Sequence, residues 1–180
     1  MHGFDSKNAE ILISKEREKI QPVKPFEEVL ATRVEKKETA VDFGAGIGYF
    51  TTVLAKHFRR VFAIEAQEEM AEKLRKRLSE LGIKNVGIIV ASEPIDFDFE
   101  VDFILFANVL HEIDNWKAFV EWSRIAKYVA VIDWKKDASF GPPLGERIDE
   151  KEMEAVLNKH FSKVEKVNVY RYHYFFLCSR

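Results

Sequence analysis

The chain has 180 residues, 47% of them hydrophobic, and a formal net charge of −2 from 28 basic and 30 acidic side chains. That length suits a single domain over 1–180 able to bury about 70% of its unfolded surface, and the balanced charge gives no overall drive toward DNA, RNA or an anionic membrane. The one cysteine, Cys178, excludes an internal disulfide and a cysteine-built zinc site, while the lack of a long apolar run or an apolar leader points to a soluble cytoplasmic protein with no metal constellation.

In chain order, Asp5 or Ser6 is placed to cap a short helix leading to Ile11, Leu12 and Ile13. Pro22 and Pro25 end that segment, and Pro25 suits the first turn of a helix carrying Phe26, Val29 and Leu30. Ala40 to Phe43 then reads as a buried parallel strand interrupted by one carboxylate, Asp42. Gly44, Gly46 and Gly48 follow, and Phe50, Val53, Leu54 and His57 fall at helical spacing. Strand, glycine-rich turn and helix together form the opening unit of a nucleotide-binding α/β sheet.

The glycine spacing separates two kinds of ligand. A dinucleotide fingerprint requires G-x-G-x-x-G, yet its third position is Tyr49 counted from Gly44 and Thr51 counted from Gly46. The actual pattern is Asp42-x-Gly44-x-Gly46-x-Gly48. A carboxylate ahead of the first glycine attracts an ammonium and repels a phosphate, which argues against a nicotinamide oxidoreductase. The pattern resembles the first motif of the class I S-adenosylmethionine-dependent methyltransferases. The resemblance implies that the loop, with Gly44, Ala45 and Gly46, cradles the methionine part of the cofactor, and that Asp42 orients its amino group directly or through water.

Val61 to Glu65 is a second strand ending in a carboxylate, 19 residues beyond Gly46. That is close to the separation of about 20 at which an acidic residue meets ribose hydroxyls, and a carboxylate accepts two hydrogen bonds from a vicinal diol. The resemblance assigns Glu65, with Ala66 beside it, the same task. Met70, Leu74, Leu78 and Leu81 form the apolar stripe of the next helix, Gly82 stands at its C-cap, and Lys73, Arg75, Lys76 and Arg77 make a solvated face. Val86 to Val90 is a third strand. Many relatives place an adenine-reading carboxylate just after it, but here Ala91 occupies that place and Ser92 or Glu93 is nearest.

Val101 to Ala107 is the fourth strand and leads into Asn108-Val109-Leu110-His111-Glu112-Ile113. This turn should face the ligand, since functional loops lie beyond the carboxyl ends of such strands. It resembles the post-strand motif of small-molecule methyltransferases rather than the Asn-Pro-Pro-Tyr clamp of adenine and glutamine N-methyltransferases. The resemblance puts Asn108 on the methionine amino end. His111 is the candidate general base or substrate contact, because it titrates near neutrality; a structural histidine at this turn is the other reading. Asp114 is expected to cap a helix with Trp116, Phe119 and Val120 on one face.

Tyr128 to Ile132 is the fifth strand, ending in Asp133, for which solvation at a strand end or a substrate role are the two readings. An exposed loop over 137–147 follows. Asp149 and Glu152 form a capping-box pair opening a helix with Met153, Val156, Leu157 and His160, so His160 reads as partly packed. Lys163–Val169 and His173–Cys178 are β-rich runs close enough to pair antiparallel.

The resemblance extends over nearly the whole chain from about residue 37. It implies an α/β fold, a three-layer, doubly wound, seven-stranded and mostly parallel sheet with its seventh strand inserted antiparallel between the fifth and sixth (the Rossmann-like methyltransferase fold). The phrase Asp133-Trp134-Lys135-Lys136, with Gly141-Pro142-Pro143-Leu144 and the opening His2-x-Phe4-Asp5, narrows it toward small methyltransferases near the ubiquinone and menaquinone biosynthesis enzymes. The expected activity is methyl transfer from S-adenosylmethionine to a small-molecule acceptor, by a monomer or homodimer. A methyltransferase acting on RNA or protein, or a non-catalytic cofactor-binding module, are the alternatives. Residues 1–36 either cover one edge of the sheet or fold over the cofactor mouth as a helical lid; the need to exclude water favours the lid.

Overall fold

A computed structural model describes residues 5–180; of the opening His2-x-Phe4-Asp5, positions 2 and 4 lie outside the described residues. Seven strands form one sheet in the order β3-β2-β1-β4-β5-β7-β6. They are β1 (Thr39–Phe43), β2 (Arg60–Glu65), β3 (Val86–Val90), β4 (Val101–Ala107), β5 (Ala126–Trp134), β6 (Lys163–Lys166) and β7 (His173–Ser179). The first five run parallel, and β7 is antiparallel to both β5 and β6. The expected insertion of the seventh strand is therefore present. Strand order reverses between β1 and β4, which opens a crevice at their carboxyl ends.

Alternation along the strands sorts side chains onto two helical layers. Val41, Phe43, Ile104, Phe106, Val129 and Val131 pack against α5 (Trp116–Trp122) and α6 (Glu150–His160). Ala40, Phe103, Leu105, Ala130 and Ile132 meet α2 (Val23–Arg33) and the aromatic start of α3 (Thr51–His57), where Phe26 and Phe50 sit edge to face at 5.1 Å. Asp42 has the parity of Ala40, so its carboxylate faces α3; Asp133 has the parity of Val131 and faces the other layer. Met70, Leu74 and Leu78 of α4 (Glu68–Glu80) are buried, but Leu81 terminates that helix and is 56% exposed. Gly82 follows with φ +67, as a residue just past a helix end requires.

Four expectations shift at element ends. The first helix is a 3-10 stretch over Ser6–Ile13, capped by Asp5, whose side chain accepts from the Lys7 amide, and a short α1 (Lys15–Ile20) follows it. The α5 cap falls on Asn115 rather than Asp114. Asp149 caps α6 through the amides of Lys151 and Glu152, while the Glu152 carboxylate reaches across to Lys117 at 2.7 Å. Most consequentially, β5 runs two residues further than its apolar core suggests. Asp133 pairs with Tyr174 and Trp134 with His173, so Asp133 is inside the sheet and 1% exposed rather than solvated.

Candidate functional site

The crevice holds a cavity of about 780 Å³ lined by Asp42, Gly44 to Ile47, Glu65 to Gln67, Ala107 to Val109, His111, Glu112 and Trp134, with Arg17 and Tyr49 on the side of the N-terminal segment. Its β1–β2 wall is stitched together by main-chain hydrogen bonds. The Gly44 and Ala45 amides donate to the Ile64 carbonyl at 2.9 and 3.0 Å. Glu65 accepts from the Gly46 amide at 2.8 Å and from the Gln67 amide at 2.9 Å, one bond on each carboxylate oxygen. Each oxygen keeps a second lone pair, so a carboxylate locked in place still offers two acceptors to a diol.

Gly44 serves packing as much as approach. At φ +73, a Cβ there would stand 2.3 Å from Val109 Cγ2, so the post-β4 turn closes onto the glycine itself. At Gly46 the nearest atom is Leu12 Cδ1 at 3.5 Å, an ordinary contact with the N-terminal segment. Behind the loop, Asp42 accepts from the Thr51 hydroxyl at 2.6 Å. Burial pushes its carboxyl up to about 7, against that hydrogen bond, with the nearby Glu65 adding to the rise. Near neutrality Asp42 is thus poised between neutral and charged forms, and an arriving cation favours the charged one. Ala45, Ala66 and Ala91 also line the cavity; Ser92 is exposed and is not part of the lining.

On the β4–β5 side, Asn108 takes φ +56, a left-handed angle that asparagine tolerates better than most residues. Its amide donates to the Ile132 carbonyl at 2.8 Å, and its Nδ2 donates to Gln21 Oε1 at 2.8 Å. Asn108 Oδ1 is buried without a hydrogen-bond partner. Next, His111 Nδ1 lies 2.7 Å from Asp133 Oδ1, and the His111 amide donates to Asp133 Oδ2 at 3.2 Å. Asp133 also accepts from the Trp134 amide at 2.8 Å. Burial would lower the His111 pKa, but Asp133, with Glu112 and Glu146, outweighs it and raises the pKa. The pairing occupies Nδ1 and leaves Nε2 as the ring atom for a ligand, 4.0 Å from Glu112 Oε1. Glu112 is itself pushed up to about 7, chiefly by burial.

Two chain segments border this side. Arg17 stands 5.4 Å over the Tyr49 ring, and the Tyr49 hydroxyl reaches the Glu18 carboxylate and the Gln21 carbonyl. Beyond β5, Gly141, Pro142 and Glu146 line the cavity from a loop wound around Arg147. That guanidinium donates to the carbonyls of Pro142, Ala138, Lys135, Phe140 and Lys136 at 2.7 to 3.3 Å.

The structure thus gathers Asp42, Gly44, Ala45, Gly46, Glu65, Ala66, Asn108 and His111 around one cavity and leaves Ser92 outside it. Arg17, Gln21 and Tyr49 carried no functional signal in the sequence. Arg17 sits in Lys15-Glu16-Arg17-Glu18-Lys19, which reads as a solvated helix face, and Gln21 only precedes a proline. For Asp133 the signal was its place after an apolar strand on the sheet edge that carries the glycine loop, and its pairing with His111 gives it a use.

A family model described as a methyltransferase domain matches residues 41–129. The crystal structure of a SAM-dependent methyltransferase from Aquifex aeolicus superposes with a TM-score of 0.85 and 30% sequence identity, covering 98% of both chains. Among curated proteins, a protein-L-isoaspartate O-methyltransferase from Polaromonas is 40% identical over 55 residues, 31% of this chain. A mitochondrial ribosomal RNA small subunit methyltransferase from Arabidopsis thaliana is 28% identical over 87 residues, 48% of this chain. Each of these two alignments spans only 23% of the curated protein's length.

Proposed function

Because the chain belongs to the class I S-adenosylmethionine-dependent methyltransferases, we propose that it methylates a small-molecule acceptor, as a soluble cytoplasmic enzyme, at the His111 end of the cavity. The residues present fit the cofactor. Glu65 presents two fixed acceptors to a diol, Asp42 lies at the lining with a carboxyl that a cation would ionise, and Asn108 Oδ1 is a buried acceptor with no protein donor. Asp42, Gly44, Ala45, Gly46, Glu65, Ala66 and Asn108 would hold it. When bound, the cofactor supplies an electrophilic methyl group together with its own leaving group.

What remains for the chain is to position the acceptor, exclude water and take a proton where the attacking atom carries one. His111 is the residue for that proton. Asp133 fixes Nδ1, so Nε2 is the atom that receives it, and a cation in the same cavity favours the neutral ring that can act as a base.

The observation that carries the small-molecule reading is the shape of the site. The cavity is bordered by Leu12 and Arg17 on one side and by Gly141, Pro142 and Glu146 on the other. Its volume, which the cofactor would share, falls in the roughly 300–1,000 Å³ range of small-ligand sites, so the space beside the cofactor suits a small acceptor. The near-neutral chain gives no electrostatic reason for a nucleic-acid acceptor. Among the described residues no helix is long and apolar enough to cross a membrane. The test is incubation with methyl-labelled cofactor and a cell extract, then separation by size. Label is expected in the low-mass fraction; label in protein or RNA overturns the small-molecule reading.

A further inference from the structure

The His111 end of the cavity holds more negative charge than the chain neutralises. Glu112 directly follows His111 in the post-β4 turn, and Glu146 reaches the lining from the loop held by Arg147. The Glu112 side chain is only 21% exposed, yet among the described residues no hydrogen bond reaches its carboxylate. His111 Nε2, at 4.0 Å, is too far to donate one. No hydrogen bond or ion pair among those residues reaches the Glu146 carboxylate either. Burial holds Glu112 up to about 7, with Glu65, Asp133 and Glu146 adding to the rise and His111 opposing it. A cationic ligand group would let it ionise. Arg17, the cation of the lining, belongs to the N-terminal segment, and Asp42 and Glu65 belong to the cofactor seat.

Two independent features of the same end point to a ligand. The His111 side chain is 6% exposed; its Nδ1 is taken by Asp133, and its Nε2 makes no hydrogen bond among the described residues. A buried base with one free ring nitrogen therefore meets the cavity. The Trp134 ring lines the same space and is fixed there: the His173 ring lies 4.1 Å away, and a Cβ at Gly141 would stand 2.8 Å from Trp134 Cε3. Burial holds His173 down to about 3, so that ring adds no positive charge. Aromatic walls favour cations. An acceptor acid would meet like charge here, and an uncharged hydroxyl would leave both glutamates uncompensated.

We propose that the methyl acceptor is a small amine, whose ammonium Glu112 receives and whose proton His111 Nε2 removes. This rests on the methyltransferase reading and names its substrate class. The ammonium gives one proton to Nε2 and becomes a neutral amine. Its nitrogen lone pair forms the new bond to the methyl carbon as the carbon–sulfur bond breaks, and that electron pair stays on sulfur. The products are a methylated ammonium and a neutral thioether, and His111 passes its proton to solvent.

Sinefungin tests the assignment, because it carries a primary amine on carbon in place of the cofactor's methylated sulfonium. S-adenosylhomocysteine has a neutral thioether there, and S-adenosylmethionine has the sulfonium itself. Calorimetry at about pH 8, above the range in which Glu112 titrates, compares the three on wild type and on Glu112→Gln. The variant is expected to lose roughly tenfold or more in affinity for sinefungin, with the other two unchanged. Unchanged binding of S-adenosylhomocysteine also reports an intact fold. No loss for sinefungin overturns the proposal. A matching loss for S-adenosylmethionine also overturns it, making Glu112 the counter-ion of the sulfonium. In the extract incubation, label in a small product retained by a cation exchanger supports the amine, and label in a neutral or acidic product overturns it. A wild-type protein that binds none of the three sinks the methyltransferase reading itself, and the proposal with it.

Discussion

Where the cavity meets β1 and β2, its wall is main chain and carboxylates drawn from residues 42–67. Where it meets β4 and β5, it is built of side chains brought from residue 17 to residue 146. The first wall needs only β1, β2 and the loops that follow them, because its hydrogen bonds run from the loop after β1 to Ile64 and Glu65. The second exists only once α1, the post-β4 turn, the end of β5 and the loop after it have all docked. One wall is therefore local in the chain, and the other is assembled from distant segments.

Four measurements break or sharpen that contrast. The largest effect is expected at Gly44→Ala, where a left-handed backbone angle and a 2.3 Å overlap with Val109 act together. Denaturant unfolding should show a loss of about 3 kcal/mol, the left-handed angle and the overpacking each contributing. Gly46→Ala keeps ordinary contact distances and should lose only about 1 kcal/mol. Equal losses at the two positions would mean that the turn is not closed by Val109.

Asp133→Asn comes next and acts on the other wall. Methyl transfer should fall by about 100-fold with cofactor affinity unchanged, the scale of lost acid–base assistance. Asp133 raises the His111 pKa, so its removal lowers it, and the acidic limb of the rate profile should move to lower pH. A fall in rate with an unmoved profile would reduce Asp133 to a packing role. Glu65→Ala should weaken cofactor binding by roughly 1.5–3 kcal/mol in calorimetry. Unchanged affinity would remove Glu65 from the site.

The smallest effect is a pH dependence. In the free protein the Asp42 carboxyl is held up to about 7, so the folded chain retains a proton that an exposed aspartate gives up at far lower pH. This makes folding less stable as pH rises from the ordinary carboxylate range through 7. A cationic ligand reverses the preference and expels the proton. Cofactor affinity should therefore rise by up to about tenfold between pH 6 and pH 8, with proton release measurable in buffers of different ionisation enthalpy. Affinity independent of pH would place the cation away from Asp42.

The same contrast explains what was readable in the residues alone. Asp42, Gly44, Gly46 and Glu65 announce themselves because strand, turn and strand end are consecutive features, each with a local pattern. The place of the seventh strand followed from the family resemblance, and the antiparallel β6–β7 pair from two β-rich runs separated by three residues. Arg17 and Gln21 were invisible because a lysine- and glutamate-rich helix looks the same whether one arginine faces solvent or a cavity. Asp133 was misjudged because the apolar run ended one residue before it, while ladder pairing with Tyr174 and His173 carries β5 onward. Ser92 shows the converse: adjacency to a strand end does not decide on which side of the chain a short side chain falls.

The loop held by Arg147 carries its scaffold within itself. Its path is dictated by five carbonyls converging on one guanidinium, not by what its outward side chains touch, and Asp137, Ser139 and Leu144 are all exposed. Substitutions at those three positions are expected to leave the loop's path unchanged as long as Arg147 stays, whereas lysine, with a single point-like head, would not gather the same set. The same loop brings Gly141, Pro142 and Glu146 to the rim of the chamber, so a surface graft there would sit beside the cavity without entering its β1–β2 wall.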